Sequence, residues 1–218
     1  QLTGCDVANA SLYDGATAAL EAVNLAAAAT GRKAVWVSRG LSPAARAIVA
    51  TFARARSLDV VEHPLTEGRT AWDPAAAPDP ALVLFAQPNF LGVIEDYDAA
   101  VALGHSRGAL VAAAVDPMLL GVLRSPGSAG CDVALGEGQP LGSPLSFGGP
   151  GLGLFATTRA LMRRIPGRLV GRTLDEDGRL AYTLTLRTRE QDIRREKASS
   201  NICTNEGLVA LAATVYLS

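Results

Sequence analysis

Lysine and cysteine are scarce in this chain of 218 residues, and each scarcity limits the chemistry open to it. Only two lysines, Lys33 and Lys197, provide a side-chain amine, whereas arginine occurs 18 times. The three cysteines, Cys5, Cys131 and Cys203, are far apart and odd in number. This pattern favours reduced, buried thiols in a cytoplasmic protein over a framework of disulfides.

The sequence also lacks a strong net charge and a long apolar run. Its formal net charge is −1, which argues against a nucleic-acid partner. Its apolar runs are far shorter than the roughly 20 residues of a membrane-spanning helix, so we expect no membrane span. With 49% hydrophobic and 19% charged residues, the composition is that of a globular protein with a large core. Because the chain begins at Gln1 and stops at Ser218 within a helical pattern, we expect it to be part of a longer protein.

The glycine-rich stretch, residues 136–156, lacks lysine, histidine, cysteine, arginine and aspartate. It contains seven of the 22 glycines and three of the 12 prolines, which neither a regular helix nor a central strand tolerates. Its apolar side chains Leu141, Leu145 and Phe147 predict that it is packed. It leaves one apolar strand and enters another, a position where α/β proteins bind ligands. With Glu137 as its single ionisable residue, it has neither a nucleophile nor a base.

Apolar strands alternate with helices over much of the chain, which predicts a mostly parallel sheet with helices on both faces. The first helix is expected to begin at Gly15, behind an Asp14 cap, and to end at Gly31. A second helix is expected after Ser42, with Pro43 in its first turn. The other expected elements are strands over residues 33–38, 58–63, 81–87, 109–116, 131–135 and 153–157, an exposed loop over 66–80 and a helix over 93–107.

The pattern changes after residue 168. A β-hairpin is predicted there, with its turn at residues 176–178. The charged residues 187–197 follow, with a net charge of +2. The last segment, residues 206–217, has the pattern of a helix.

Residues 104–108 match G-x-S-x-G, the pattern of a nucleophile elbow. That elbow needs a strand before its serine and a helix after it, and here the order is reversed. We therefore interpret Gly108 as the end of a helix. His105 is then a cation in the last turn, near the negative end of the helix dipole, rather than a catalytic base.

Asp116 ends an apolar strand and precedes Pro117, and two interpretations stay open. It is either the cap of a turn or an acid at a ligand site. As a site residue it would match the acid that pairs with the pyridinium nitrogen of pyridoxal phosphate. Gly15 and Ala16, at a helix N-terminus, would then hold the phosphate. Because Asp14 repels a dianion and no lysine follows on the loop, we expect these positions to be vestigial.

Several segments together resemble the P-protein of the glycine cleavage system. They are ANASLYDGATA (8–18), QPNFLGVIED (87–96), VDPMLLG (115–121), GEGQPLGSPLSFGGPGLGLFAT (136–157) and TREQDIRREKASSNICTNEGL (188–208). The resemblance extends from Asp6 to Ser218. It is to the amino-terminal half, which in many bacteria is a separate polypeptide, subunit 1 of glycine dehydrogenase (decarboxylating).

The resemblance implies the architecture of a fold type I pyridoxal-phosphate enzyme. This chain would be a single large domain over residues 1–218, without the flanking parts of the full protein. A hairpin and a charged helical segment would occupy about 168–198.

The resemblance also implies where the chemistry of the family takes place. The family decarboxylates glycine on pyridoxal phosphate and passes the aminomethyl group to the lipoyl group of H-protein. The catalytic lysine belongs to glycine dehydrogenase subunit 2, in a His-Lys pair of a similar glycine-rich loop. The matching place here is Gly138-Gln139, and Gln139 cannot form a Schiff base. Asp14 also replaces a serine that favours phosphate, so we expect a non-catalytic subunit that completes the partner's site while the partner holds the cofactor.

Candidates for contributing to the partner's site lie in residues 188–201. They are Thr188, Arg189, Arg194, Arg195, Lys197 and Asn201. The arginines among them would attract the substrate carboxylate or an acidic H-protein. Composition alone favours instead a solvated helix face. Two other functions stay open: a self-sufficient pyridoxal-phosphate enzyme that uses Lys197, and a structural homo-oligomer without a cofactor.

Overall fold

A computed structural model describes residues 1–186, 198, 200, 202 and 206–218, and its main feature is a seven-stranded sheet. The strands in chain order are β1 (Val7–Ala8), β2 (Ala34–Ser38), β3 (Asp59–His63), β4 (Leu65–Thr66), β5 (Arg69–Thr70), β6 (Pro80–Gln87), β7 (Leu110–Val115), β8 (Val133–Glu137), β9 (Gly153–Thr157), β10 (Leu169–Leu174) and β11 (Leu180–Thr185). The α-helices are α1 (Gly15–Thr30), α2 (Pro43–Ala55), α3 (Tyr97–Ser106) and α4 (Gly207–Leu217).

The strand order in the large sheet is β1-β9-β8-β7-β6-β2-β3. The strands from β8 to β3 pair in parallel, whereas β9 pairs antiparallel with β8, and β1 pairs antiparallel with β9. A parallel return needs a crossover, usually a helix, and the glycine-rich stretch joins β8 to β9 without one. Because four of the six strand pairings are parallel, the prediction of a mostly parallel sheet is confirmed.

Helices cover both faces of the sheet. All eight residues of β6 are buried, as expected of a central parallel strand. Successive side chains point to opposite faces: Leu82 and Leu84 belong to the core shared with α1 and α2, whereas Val83 and Phe85 belong to the core shared with α3. The two cores together confirm the predicted layering.

The first helix begins and ends where the sequence predicts. The Asp14 carboxylate accepts the N–H of Thr17 at 2.6 Å, which caps the N-terminus of α1. Gly31 ends the helix with a positive φ of 71°, a conformation that glycine adopts without strain. Ser42 caps α2 in the same way, by accepting the N–H of Ala45 at 3.2 Å.

The third helix begins four residues later than predicted, at Tyr97 instead of residue 93. The residues before it turn back on the end of β6. The N–H of Glu95 donates to the side-chain oxygen of Gln87 at 2.7 Å, and Gly92 has a φ of +80°. The hydrogen bond and the turn at Gly92 hold the segment in a loop. The helix therefore starts only after Asp96, whose side chain accepts the N–H of Ala99.

Two hairpins lie outside the large sheet. Strands β10 and β11 form the predicted hairpin, in which the carboxylate of Asp175 accepts the N–H groups of Asp177 and Arg179 at 3.0 and 2.8 Å. The expected exposed loop over 66–80 is partly wrong, because β4 and β5 pair as a short hairpin at its start.

The last helix, α4, packs against the glycine-rich stretch. Val209 and Ala213 contact Leu141 and Leu152 in a small apolar cluster of their own. Within the part of the chain that the structure describes, no helix is both long and apolar enough to cross a bilayer.

Candidate functional site

A cleft of about 570 Å³ opens at the edge of the sheet where β6, β7 and β8 end. Such an edge is where open α/β sheets bind their ligands. The N-terminus of α1 and the start of α2 form the opposite wall. The main residues around the cleft are Asp14, Gly15, Ala16, Ser42, Pro88, Asn89, Phe90, Val115, Asp116, Leu119, Glu137 and Pro140.

The carboxylate of Glu137, the last residue of β8, lies at the N-terminus of α1. Its Oε2 accepts the N–H of Gly15 at 2.9 Å. Its Oε1 accepts the N–H groups of Gln139 and Leu152 at 2.9 and 2.8 Å. One side chain thus binds the start of the helix and both sides of the glycine-rich stretch. The carboxylate of Asp14 caps the same helix end.

Glycines allow α1 and the end of β7 to approach β8 closely. A Cβ on Gly15 would lie 2.8 Å from the backbone nitrogen of Glu137, and a Cβ on Gly136 would lie 2.2 Å from the carbonyl oxygen of Val115. Neither distance is sterically allowed, and the atoms met are backbone atoms that cannot move aside. The contact between α1 and β8 therefore requires glycine at position 15, and the contact between β7 and β8 requires glycine at position 136.

Asp116 caps a turn, and it also lies at the cleft. It follows β7 and lines the cleft, and it is exposed. Its Oδ1 also accepts the N–H of Met118 at 2.9 Å, which stabilises the turn after Pro117. Asp116, Gly15 and Ala16 thus line one cleft.

The glycine-rich stretch is only partly packed, so the prediction made for its apolar residues is wrong at two of three positions. Leu141 is buried against α4. Leu145 and Phe147 are exposed, because the stretch makes an excursion around residues 146–148 with consecutive positive φ angles. Gln139 lies before this excursion, and its side-chain amide donates to the carbonyl oxygen of Ser143.

The cleft does not fit pyridoxal phosphate. Among the described residues, those that line it include three carboxylates, of Asp14, Asp116 and Glu137, and no lysine, arginine or histidine. The N–H of Gly15, which would face a phosphate, is already bonded to a carboxylate. Lys33 precedes β2 and thus lies at the opposite edge of the sheet. Lys197 lies outside the described residues.

The wall opposite the glycine-rich stretch is organised by Glu95, a residue that the sequence analysis did not single out. Its buried carboxylate accepts the N–H and hydroxyl of Thr70 at 2.9 and 2.8 Å, and the amide of Asn89 at 2.8 Å. Gln87 binds the Glu95 backbone through both ends of its amide. Gln87 and Asn89 are near Glu95 in the sequence, but Thr70 is 25 residues away, so no local sequence signal identifies the whole network.

Neither histidine reaches the cleft. His63 is buried between the rings of Trp36 and Trp72, at centroid distances of 4.9 and 5.0 Å, and burial lowers its pKa. His105 lies in the last turn of α3, as predicted, and its Nε2 is 2.9 Å from Asp132.

The described cysteines, Cys5 and Cys131, are free thiols. Burial raises the pKa of both, and that of Cys131 reaches about 12. They are therefore protonated at neutral pH and poor nucleophiles. Cys203 lies outside the described residues.

The candidates for the partner's site also lie outside the described residues: Thr188, Arg189, Arg194, Arg195, Lys197 and Asn201. The described residues on either side of them are fixed on one face. Leu186 packs against the core beneath α1, and Ile202 is buried in the same core. Ser200 is buried and hydrogen-bonded to Glu21 of α1, whose pKa is raised by burial.

Comparison with known proteins gives concordant results. The family model described as glycine cleavage system P-protein matches residues 1–218. A protein of Moorella thermoacetica, named probable glycine dehydrogenase (decarboxylating) subunit 1, is 52% identical over 221 residues, which are all of this chain and 50% of that protein. The chain thus spans about half the length of the relatives that it matches.

Solved structures agree in fold. A crystal structure of glycine decarboxylase (P-protein) of the glycine cleavage system, in inhibitor-bound form, matches with a TM-score of 0.94 and 47% identity over 99% of this chain and 49% of that one. A cystathione gamma lyase from Micromonospora echinospora has a TM-score of 0.56 at 21% identity over 74% of this chain and 41% of its own, which shows the fold of type I pyridoxal-phosphate enzymes. The chain belongs to the glycine cleavage system P-protein family.

Proposed function

We propose that this chain is part of the non-catalytic subunit of the glycine decarboxylase of the glycine cleavage system. Glycine dehydrogenase subunit 2 holds the pyridoxal phosphate, which stabilises the charge left when glycine loses its carboxylate. The aminomethyl group then passes to the lipoyl group of H-protein. The relatives named subunit 1 support this division between two polypeptides.

The observation that favours a non-catalytic role is what occupies the N-terminus of α1. A helix N-terminus is a natural phosphate site, and here the carboxylates of Glu137 and Asp14 occupy it. Without a lysine among the described residues around the cleft, the cofactor aldehyde has no amine to bind. The same fold therefore serves as a scaffold in this chain.

The contribution to the partner's site comes, in this proposal, from residues 188–201. The described residues Leu186 and Ile202, which flank this segment in the sequence, pack into the core beneath α1. Arg189, Arg194 and Arg195 provide planar cations suited to a carboxylate or to an acidic protein surface. We further propose one large domain over residues 1–218, with the flanking parts outside this sequence, in a cytoplasmic heterotetramer with subunit 2.

Reconstitution from separately purified subunits tests the proposal. Release of CO₂ from labelled glycine, with lipoylated H-protein as acceptor, is expected only when both full-length subunits are present. Arg194→Ala is expected to lower kcat/KM in the reconstituted enzyme, whereas Arg179→Ala, in the exposed hairpin turn, serves as the matched control. Decarboxylation by this subunit alone would contradict the proposal and favour a self-sufficient enzyme.

A further inference from the structure

We propose that Glu137 is an intramolecular anion that takes the place of a phosphate at the N-terminus of α1 and fixes the glycine-rich stretch there. The cleft would consequently reject phosphate-bearing ligands even where its shape accommodates them. This inference goes beyond the proposed function, because it concerns what fills the cleft of this chain and not what the assembled enzyme does.

The bonds of Glu137 support this inference. Both carboxylate oxygens are used, by N–H groups from three separate places in the chain: Gly15, Gln139 and Leu152. The three distances lie between 2.8 and 2.9 Å, in the range of charge-assisted bonds. A bound phosphate at a helix N-terminus accepts the same kind of backbone N–H groups.

Glycines bring the backbone of the glycine-rich stretch close to both carboxylates at the start of α1. A Cβ on Gly151 would lie 3.0 Å from the Cβ of Asp14 and 3.2 Å from Oε2 of Glu137. A Cβ on Gly153 would lie 2.6 Å from the carbonyl oxygen of Asp14. The stretch is thus wrapped tightly around the carboxylate that holds it.

Charge strengthens the exclusion. The partial positive charge of the α1 N-terminus already faces two carboxylates, one bonded to Gly15 and one bonded to Thr17. A phosphate dianion would have to displace Glu137 and would still lie beside Asp14. Like charges at such short range repel strongly in a partly desolvated cleft.

The first experiment removes both charges from the isolated full-length subunit. In Asp14→Ser/Glu137→Ala, the serine can still cap α1, and the N–H of Gly15 becomes free. With inorganic phosphate at about ten times its Kd, the double variant is expected to gain roughly 1.5 °C in Tm, against potassium chloride of equal ionic strength. Wild type and the control Asp116→Asn, which removes a charge from the same cleft, are expected to show no gain.

Pyridoxal phosphate and pyridoxal then distinguish phosphate recognition from binding of the ring. Equilibrium dialysis is expected to show retention of the phosphorylated compound alone, and only by the double variant. A phosphate-dependent gain in wild type, or a double variant that is folded by circular dichroism and gains nothing, would overturn the inference.

Hydrogen exchange tests the contact with the glycine-rich stretch independently, and it remains informative if the double variant does not fold. In Glu137→Gln the amide keeps a single acceptor oxygen, so the Gly15 side or the loop side must lose its bond. Exchange at one or more of Gly15, Gln139 and Leu152 is expected to accelerate roughly tenfold, with Gly178 in the distant hairpin unchanged. Unchanged protection at all three amides would contradict the inference while leaving the decarboxylation assay unaffected.

Discussion

Two loops line the cleft, one after β6 and one after β8, and each is held by one glutamate in a different way. In the loop of residues 87–96, Glu95 is buried and its partners include the side chains of Thr70 and Asn89. In the glycine-rich stretch, Glu137 is half-buried and binds backbone N–H groups alone. The first loop is thus held through buried side chains, whereas one carboxylate bound to backbone groups holds the base of the second.

The largest effect is expected at Glu95. Glu95→Ala removes the buried acceptor for three donors, two of Thr70 and one of Asn89, so the free energy of unfolding should fall by about 3 kcal/mol in urea denaturation. Glu95→Gln, which keeps one acceptor, should lose less. Equal losses at Glu95→Ala and Glu137→Ala would remove the distinction between the two loops.

A smaller effect is expected at Glu137. Glu137→Ala frees N–H groups that water can reach in part, so the loss of unfolding free energy should be about 2 kcal/mol. The exchange of amides in the glycine-rich stretch should accelerate, while those of residues 87–96 should not. Acceleration in both loops alike would show that they form one cooperative unit.

Acid should lower the stability of the fold through protonation of His63. Burial keeps the pKa of His63 below its usual value near 6.5, so the folded state binds fewer protons than the unfolded one. The stabilisation is complete above about pH 6.5 and is lost as the pH falls, at no more than about 1.4 kcal/mol per pH unit for one group. Nδ1 of His63 accepts the N–H of Asp73, and protonation breaks that bond.

Urea denaturation between pH 7.5 and 5 checks this pH dependence. His63→Asn keeps an acceptor near the position of Nδ1 but does not titrate, so its stability should vary less over that range. An identical pH dependence in the variant would assign the effect to other groups.

The smallest effect is expected at the tip of the glycine-rich stretch. Phe147 is fully exposed, so Phe147→Ser should change the free energy of unfolding of the isolated subunit by less than about 0.5 kcal/mol. Leu141→Ala, in the same stretch but buried against α4, should cost about 3 kcal/mol. A large loss at Phe147 would mean that the tip packs within the subunit.

Local patterns predicted much of the fold. Helix α1 begins after Asp14 and ends at Gly31, as expected. Capping by a side chain and the left-handed conformation of a glycine both depend on a few neighbouring residues. The apolar run of β6 predicted a buried parallel strand. The predicted start of α3 was wrong, because Gln87 and Glu95 bind each other across a turn that a helical sequence pattern does not indicate.

The arrangement of the site was less predictable. The sequence identified Glu137 as the single ionisable residue of its stretch, but its bond to Gly15 joins residues 122 apart. That contact exists only once β8 lies beneath α1. The exposure of Phe147 depends on its positive φ of 56°, which an apolar side chain does not reveal.

Borohydride reduction of the assembled enzyme with pyridoxal phosphate tests the central claim most directly. Both full-length subunits are reduced together, separated and mapped by peptide mass. We predict a reduced adduct on a lysine of subunit 2 and none on this chain. An adduct on Lys197 or Lys33 would contradict the account, because this chain would then hold the cofactor itself.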